Sequence, residues 1–272
     1  MLRTLVVTTN IGCKNMCNYC PQSTFTKAYK KRSKINQIRF DTFKKCVDKV
    51  PRDVLINFAG FTEPCLNPDF TQMILYANQL GFKIRLLTTT VGMTLSDIDK
   101  IEEIPFARFL VHLPDDKQQT KIKVDKQFLE VTNRLLDSRM NVEWKYHQSP
   151  LINEDLHSEL KPIFIKANIY DTIKKAGLKT RARHVKIQGQ AEPEKIYGNI
   201  SGCHLLYTNQ LLPNGDVFIC CMDWNLDYFL GNLLQCNYEE LFQGKTFQDI
   251  LKGFTEDNSE ILCRYCELCQ RA

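Results

Sequence analysis

Leu5-Val6-Val7-Thr8-Thr9-Asn10-Ile11-Gly12-Cys13-Lys14-Asn15-Met16-Cys17-Asn18-Tyr19-Cys20 runs from a short apolar strand directly into a loop carrying three cysteines. The C-x3-C-x2-C spacing brings three thiolates close enough to ligate three irons of a cubane cluster, leaving the fourth iron open to another ligand. Zinc or free thiols is the weaker reading, because structural zinc sites are closed by four ligands and favour C-x2-C pairs. Outward from this loop, strand patterns alternate with helical ones to about residue 185. The strand candidates are Leu5–Thr9, Val54–Phe58, Lys83–Thr89, Phe109–Leu113, Asn141–His147 and Arg183–Ile187. One helix is punctuated by Asn67 as N-cap, Pro68 at the first position and Gly81 past its end, with Phe70, Met73, Ile74 and Ala77 on one face. Another presents Phe43, Cys46, Val47 and Val50 on one side. Such alternation implies parallel strands, in an open doubly wound sheet or a full or partial barrel, with an active site at the C-terminal strand ends. In the fifth strand Val142, Trp144 and Tyr146 alternate with Glu143, Lys145 and His147. Either a barrel holding a polar ligand or an edge strand with a solvated face gives that pattern.

A chain of 272 residues, 43% hydrophobic and 25% charged, is long enough to bury a substantial core and ordinary for a globular protein. A net charge of +5 is mild, and the basic stretch Lys27–Lys34 reads as a solvated loop, so nothing argues for nucleic acid. The N-terminal run has neither a signal-peptide pattern nor the apolar length of a membrane span, so a cytoplasmic protein is expected. Twelve cysteines in a reducing compartment then call for metal binding or chemistry rather than disulfides.

The Gly-, Pro- and charge-rich stretch 186–202 reads as a linker between a first domain, 1–185, and a cysteine-rich module, 203–272. The module contains Cys203, then Gly215-Asp216-Val217-Phe218-Ile219-Cys220, then Cys263-Arg264-Tyr265-Cys266-Glu267-Leu268-Cys269. Pro213-Asn214-Gly215-Asp216 is a hairpin turn that would draw Cys203 and Cys220 together. The terminal C-x2-C could complete a four-thiolate site for zinc or an iron–sulfur cluster, which the residues alone do not separate.

Taken in order, these residues resemble the radical S-adenosylmethionine superfamily. Its signature is C-x3-C-x-aromatic-C after the first strand of a partial (β/α)6 barrel, with Tyr19 in the aromatic place here. In that family the open iron chelates S-adenosylmethionine, and its cleavage yields methionine and a 5′-deoxyadenosyl radical. Phe61-Thr62-Glu63-Pro64 stands where the family has Gly-Gly-Glu-Pro, so Glu63 would meet the cofactor's amino group while Thr62 replaces the second glycine. Leu87-Thr88-Thr89-Thr90-Val91-Gly92 is similar to the family's Thr-Asn-Gly segment, which adds Thr89 to the cofactor contacts. The C-terminal module resembles the twitch domain, a short SPASM-like module with a β-hairpin and helix. The resemblance implies a second, auxiliary [4Fe–4S] cluster on Cys203, Cys220, Cys263 and Cys266. The gaps Cys203-x16-Cys220 and Cys220-x42-Cys263-x2-Cys266 are similar to those of the 2-deoxy-scyllo-inosamine dehydrogenases. A full SPASM domain has a C-x2-C-x5-C-x3-C run. Here the run is C-x2-C-x2-C, so one auxiliary cluster is expected, with Cys221 and Cys269 as alternative ligands or spectators.

The resemblance implies hydrogen-atom abstraction from a small polar, sugar- or cyclitol-like substrate, with an external reductant such as flavodoxin or ferredoxin. In the dehydrogenase reading an alcohol becomes a ketone and the auxiliary cluster takes the electron, with Arg181 of Thr180-Arg181-Ala182-Arg183 as the substrate contact. An arginine there could equally pair with a carboxylate or cofactor group. Where the dehydrogenases have Phe-Glu-Asp after the auxiliary cysteine, Cys221-Met222-Asp223 stands here, which leaves room for another substrate. In an epimerase reading a cavity thiol, Cys65 or Cys221, would quench the substrate radical, whereas Cys46 reads as a core thiol. Peptide maturation is a third reading, set against a first strand that starts at the N-terminus without the peptide-binding domain often placed ahead of such barrels. A zinc-stabilised binding module is a fourth. His112 and His147, at strand C-termini, are candidate acid–base or hydrogen-bonding groups or structural histidines. His204 lies beside Cys203, and His157 and His184 carry no signal.

Overall fold

The computed structural model describes residues 3–271; Met1 and Leu2, the start of the apolar N-terminal run, and Ala272 lie outside them. Every residue of β1 (Thr4–Val7) and β2 (Leu55–Phe58) is buried, as parallel strands covered on both faces require. β3 (Ile84–Thr88), β4 (Arg108–His112), β5 (Val142–Gln148) and β6 (Lys174–Gly177) continue the sheet, all parallel and in sequential order. Between them run α2 (Phe40–Val47), α3 (Phe70–Gln79), α4 (Leu95–Ile101), α5 (Lys126–Leu136) and α6 (Lys161–Lys166), with α1 (Gln22–Lys30) after the first cysteine loop. The expected strand–helix rhythm is thus present. β1 and β6 do not pair with each other, so the barrel is partial.

The C-terminal module contributes β7 (Ile200–Cys203), β8 (Thr208–Leu211), β9 (Asp216–Phe218), β10 (Phe229–Asn232), α7 (Lys245–Gly253) and β11 (Cys269–Arg271). The hairpin at Asn214-Gly215 joins β8 and β9 antiparallel, as its turn residues predict. β8 also lies parallel to β1, so one nine-stranded sheet, β10-β9-β8-β1-β2-β3-β4-β5-β6, runs from the module into the barrel. A second, two-stranded sheet pairs β11 with β7 and sets Cys269 directly opposite Cys203.

Two details differ from the expectation. The sixth strand is 174–177 rather than Arg183–Ile187, because Arg181, Ala182 and Arg183 have φ of 57°, 51° and 72°, in the left-handed region that no strand occupies. The third helix starts at Phe70 behind Asp69. Asn67, two residues earlier, accepts from the Asp69 N–H and donates to the Thr9 and Ile38 carbonyls, tying the helix entry to β1. The apolar face Phe70, Met73, Ile74 and Ala77 is buried as its spacing predicts, and Gly81 follows the helix with φ of 80°.

Two glycines fix the loops at the strand ends. A Cβ on Gly60 would stand 2.3 Å from the Thr8 hydroxyl, and one on Gly92 2.6 Å from the Cys65 carbonyl oxygen. The loops after β2 and β3 are therefore pressed against β1 and against each other.

Candidate functional site

Glu63 leaves the end of β2 and is held from four directions. The Thr88 hydroxyl (2.5 Å) and the Cys65 N–H (3.1 Å) donate to one carboxylate oxygen, and the Thr89 N–H (2.6 Å) and hydroxyl (2.7 Å) to the other. Burial raises its pKa while these donors oppose the shift, and the four bonds fix the position of both side-chain oxygens in advance. The Thr62 hydroxyl donates to the Asn10 carbonyl at 2.8 Å, and the Asn15 amide of the cysteine loop donates to the Thr89 hydroxyl at 2.8 Å. The three loops that follow β1, β2 and β3 are thereby knitted into one unit.

Cys13, Cys17 and Cys20 share that unit and feel one another's charge. Burial pushes Cys13 up to about 11 and Cys17 up to about 12, and raises Cys20. Backbone N–H groups of Asn15 and Glu63 point at the Cys13 sulfur, and the Gln22 amide donates to Cys20 at 3.4 Å. Such thiols are protonated near neutrality until a metal displaces the proton, and the donors are those that thiolate ligands use. Three cysteines in one loop, with backbone and amide donors aimed at their sulfurs, are a donor set that a cubane cluster can use, each thiolate going to its own iron.

The C-terminal cysteines converge more than the sequence reading allowed. The Cys269 thiol reaches Cys203, Cys263 and Cys266, and these shared protons hold Cys203 and Cys266 below the usual thiol range and Cys269 above it. Cys220 is buried and Cys221 half-buried; Cys220 feels the charge of Cys221 and Cys263, and Cys221 that of Cys266 and Cys203. The antiparallel pairing of β11 with β7, which puts Cys269 opposite Cys203, has no signature in sequence spacing. Arg264 braces this end. Wholly buried, it donates to the carbonyls of Gly253 (3.0 Å), Ile196 (2.5 Å), Gly198 (3.0 Å) and Phe254 (3.4 Å).

Arg181 lies between the two cysteine groups, its charge felt by both Cys20 and Cys221. Its left-handed loop is held by Glu267, whose carboxylate accepts from the Arg181 and Ala182 N–H groups at 3.2 and 3.1 Å. Tyr19 is buried against Leu178 and Ile187, with its ring centroid 4.7 Å from that of His147, which is 5.2 Å from His112. Burial lowers both imidazoles, His147 to about 3, so both are neutral. Cys65 is buried beside Glu63, its N–H on the carboxylate and its sulfur 3.2 Å from the Thr88 hydroxyl. Cys46 is a core thiol. Sequence reasoning missed Glu267 and Arg264. Both lie within or beside the terminal cysteine run, where a charged residue between ligands was the available signal.

An iron–sulfur cluster-binding domain, SPASM, matches residues 203–270. No curated protein matches the chain by sequence. Among solved structures, BtrN in complex with AdoMet and 2-DOIA is 14% identical, with a TM-score of 0.59 over 100% of this chain and 94% of that one. Native anSMEcpe with bound AdoMet is 13% identical, with a TM-score of 0.63 over 99% and 88%. Streptococcus suis SuiB bound to precursor peptide SuiA is 12% identical, with a TM-score of 0.68 over 98% and 70%. Residues 203–270 thus match an iron–sulfur cluster-binding domain, and the chain as a whole shares the fold of these structures, two of which hold AdoMet.

Proposed function

We propose that the chain is a radical S-adenosylmethionine enzyme that oxidises an alcohol of a small polar, sugar- or cyclitol-like substrate. The observation that carries this reading is the joining of Cys13, Cys17 and Cys20 to the four-fold-held Glu63 at the C-terminal ends of parallel strands. When bound, S-adenosylmethionine on a [4Fe–4S] cluster supplies a radical that takes a hydrogen atom, and the C-terminal cluster an electron sink, so a carbinol losing a hydrogen atom, a proton and an electron leaves as a ketone. Glu63 presents its carboxylate to the cofactor's ammonium group. Arg181, between the cysteine groups, orients the substrate oxygen and favours its loss of a proton. Tyr19 closes the wall beside the first cysteine loop, where His112 and His147 offer neutral ring nitrogens. Cys203, Cys220, Cys263 and Cys266 would hold the second cluster, with Cys269, close to Cys203, Cys263 and Cys266, a competing ligand.

Epimerisation is a second reading, favoured by Cys221. Its half-buried thiol lies within the field of the Arg181 charge, where it could return a hydrogen atom to the substrate. Cys65, its sulfur 3.2 Å from the Thr88 hydroxyl, is the other candidate thiol for that role.

Anaerobically reconstituted protein, assayed with sugars, aminocyclitols and peptides plus a flavodoxin or ferredoxin reductant, tests the reading. Iron and sulfide in the protein, and 5′-deoxyadenosine formed in proportion to a ketone, support it. An isomeric product would move the assignment to epimerisation. Colourless zinc-loaded protein that forms no 5′-deoxyadenosine would overturn the enzyme reading altogether.

A further inference from the structure

Strand alternation decides which side chains enter the barrel. Phe109, Val111, Trp144 and Tyr146 belong to the main core on the helix side, so Arg108, His112, Glu143, Lys145 and His147 point to the opposite, concave face. His112 and Lys145 are directly paired across β4 and β5. The acid on this face, Glu143, is already taken: Arg108 grips it through two bonds of 3.0 Å and Lys174 through one of 2.5 Å. Lys145 has no counter-ion and no hydrogen-bond acceptor among the described residues, and neither does the side chain of Arg181. Four nitrogens here, Arg85 Nε, which lies opposite Arg108, His112 Nε2, His147 Nδ1 and Arg181 Nε, are buried without partners among the described residues. Lys145, Arg181 and the two imidazoles also feel one another's charge.

Buried nitrogens left without partners are unfavourable in a folded protein and persist where a ligand completes them, and the half-buried cations Lys145 and Arg181 beside them, with no counter-ion among the described residues, favour an anionic one. We infer that the barrel binds a polyol bearing an oxyanion, a carboxylate or a phosphate, with the oxyanion on Lys145 and Arg181 and hydroxyl groups on His112 and His147. This rests on the proposed small polar substrate and narrows it from neutral or amino-substituted polyols to acidic ones. The cofactor's own carboxylate is the competing occupant of these cations. That cofactor also carries an ammonium and a sulfonium group, so the molecule as a whole is not an anion.

The test is calorimetric titration of anaerobically reconstituted holoenzyme, with and without S-adenosylmethionine, using glucose, glucuronate, glucose 6-phosphate and inorganic phosphate at constant ionic strength. At least one anionic probe should bind about tenfold or more tightly than glucose, since charge-assisted hydrogen bonds in a desolvated site carry at least that much discrimination. Glucuronate and glucose 6-phosphate then tell carboxylate from phosphate. Lys145→Met should abolish the preference while S-adenosylmethionine affinity changes by less than about threefold, and Lys145→Arg should retain it. No anionic preference in the wild type, or a Lys145→Met variant that loses cofactor affinity instead, would overturn the inference. The cluster's visible spectrum and 5′-deoxyadenosine formation report separately on the enzyme reading, so either conclusion can fail alone.

Discussion

Replacing Arg264 by Met should cost the C-terminal module a large share of its stability. The guanidinium is wholly buried and donates to four carbonyls: Gly253 and Phe254 at the end of α7, and Ile196 and Gly198 in the segment leading to β7. Three of these bonds are 3.0 Å or shorter and one is 3.4 Å, with Asp257 3.6 Å away as an exposed counter-charge. A hydrogen bond from a charged donor contributes about 1.5–3 kcal/mol, offset by the penalty of burying the charge itself. Methionine fills much of the volume but leaves the carbonyls unpaired, so the expected loss is about 3–5 kcal/mol, against a total stability of about 5–15 kcal/mol for an ordinary domain. Lysine, which keeps the charge but not the fork, should recover about 1–2 kcal/mol of that. Urea unfolding followed by tryptophan fluorescence reads the effect, because Trp224 lies buried in the cluster that includes Phe218 of β9. Iron content should fall in parallel, since Cys263 and Cys266 flank the arginine in the same turn. A loss below about 1 kcal/mol with iron unchanged would refute the bracing role.

Cys17→Ala and Cys220→Ala should each lower iron from roughly eight to roughly four atoms per chain, but only Cys17→Ala should abolish 5′-deoxyadenosine formation; equal effects on turnover would contradict two separate clusters. Cys269→Ser, if Cys269 is a ligand, should shift the spectrum of the second cluster as Cys203→Ser does, and an unchanged spectrum would make it a spectator. Burial, with the charges of Arg108, Arg181 and Lys174 outweighing Glu143, lowers Lys145 from 10.5 to about 8. Between those pH values the unfolded chain binds the extra proton, so this group's contribution to stability rises with pH. Lys145→Met should therefore stabilise the ligand-free protein near pH 7 by up to about 3 kcal/mol, an advantage that shrinks from about pH 8 to 10.5 and that urea midpoints across this range would reveal. Glu267→Gln should loosen the left-handed turn by about 1–2 kcal/mol and speed tryptic cleavage after Arg181 and Arg183. Unchanged cleavage would deny Glu267 that role.

The alternation of strands and helices and the first cysteine loop were legible in the sequence because each rests on local spacing, whereas Glu63 was singled out by the likeness of Phe61-Thr62-Glu63-Pro64 to a family motif. Apolar runs of strand length, helical faces such as Phe70, Met73, Ile74 and Ala77, and three cysteines within one loop all depend on neighbours a few residues away. The sixth strand was misplaced because Val185 and Ile187 give an apolar pattern, while the backbone at Arg181, Ala182 and Arg183 turns left-handed under contacts from Glu267, more than eighty residues on. The N-cap shifted from Asn67 to Asp69 for a related reason. Asn67 makes its bonds to Thr9 and Ile38 instead, and a long-range partner overrides a local preference.

The sequence by itself determined the fold class, the three-cysteine loop and the presence of a second cysteine group, since those follow from short-range periodicity and spacing. Only the tertiary structure decided which groups meet: β8 joining the sheet beside β1, Cys269 set opposite Cys203, Arg181 held between the two cysteine groups, and Lys145 facing inward without a counter-ion. Those are contacts between residues far apart in the chain. They are fixed by strand register and by the cost of leaving buried polar groups unpaired, which no window of sequence contains.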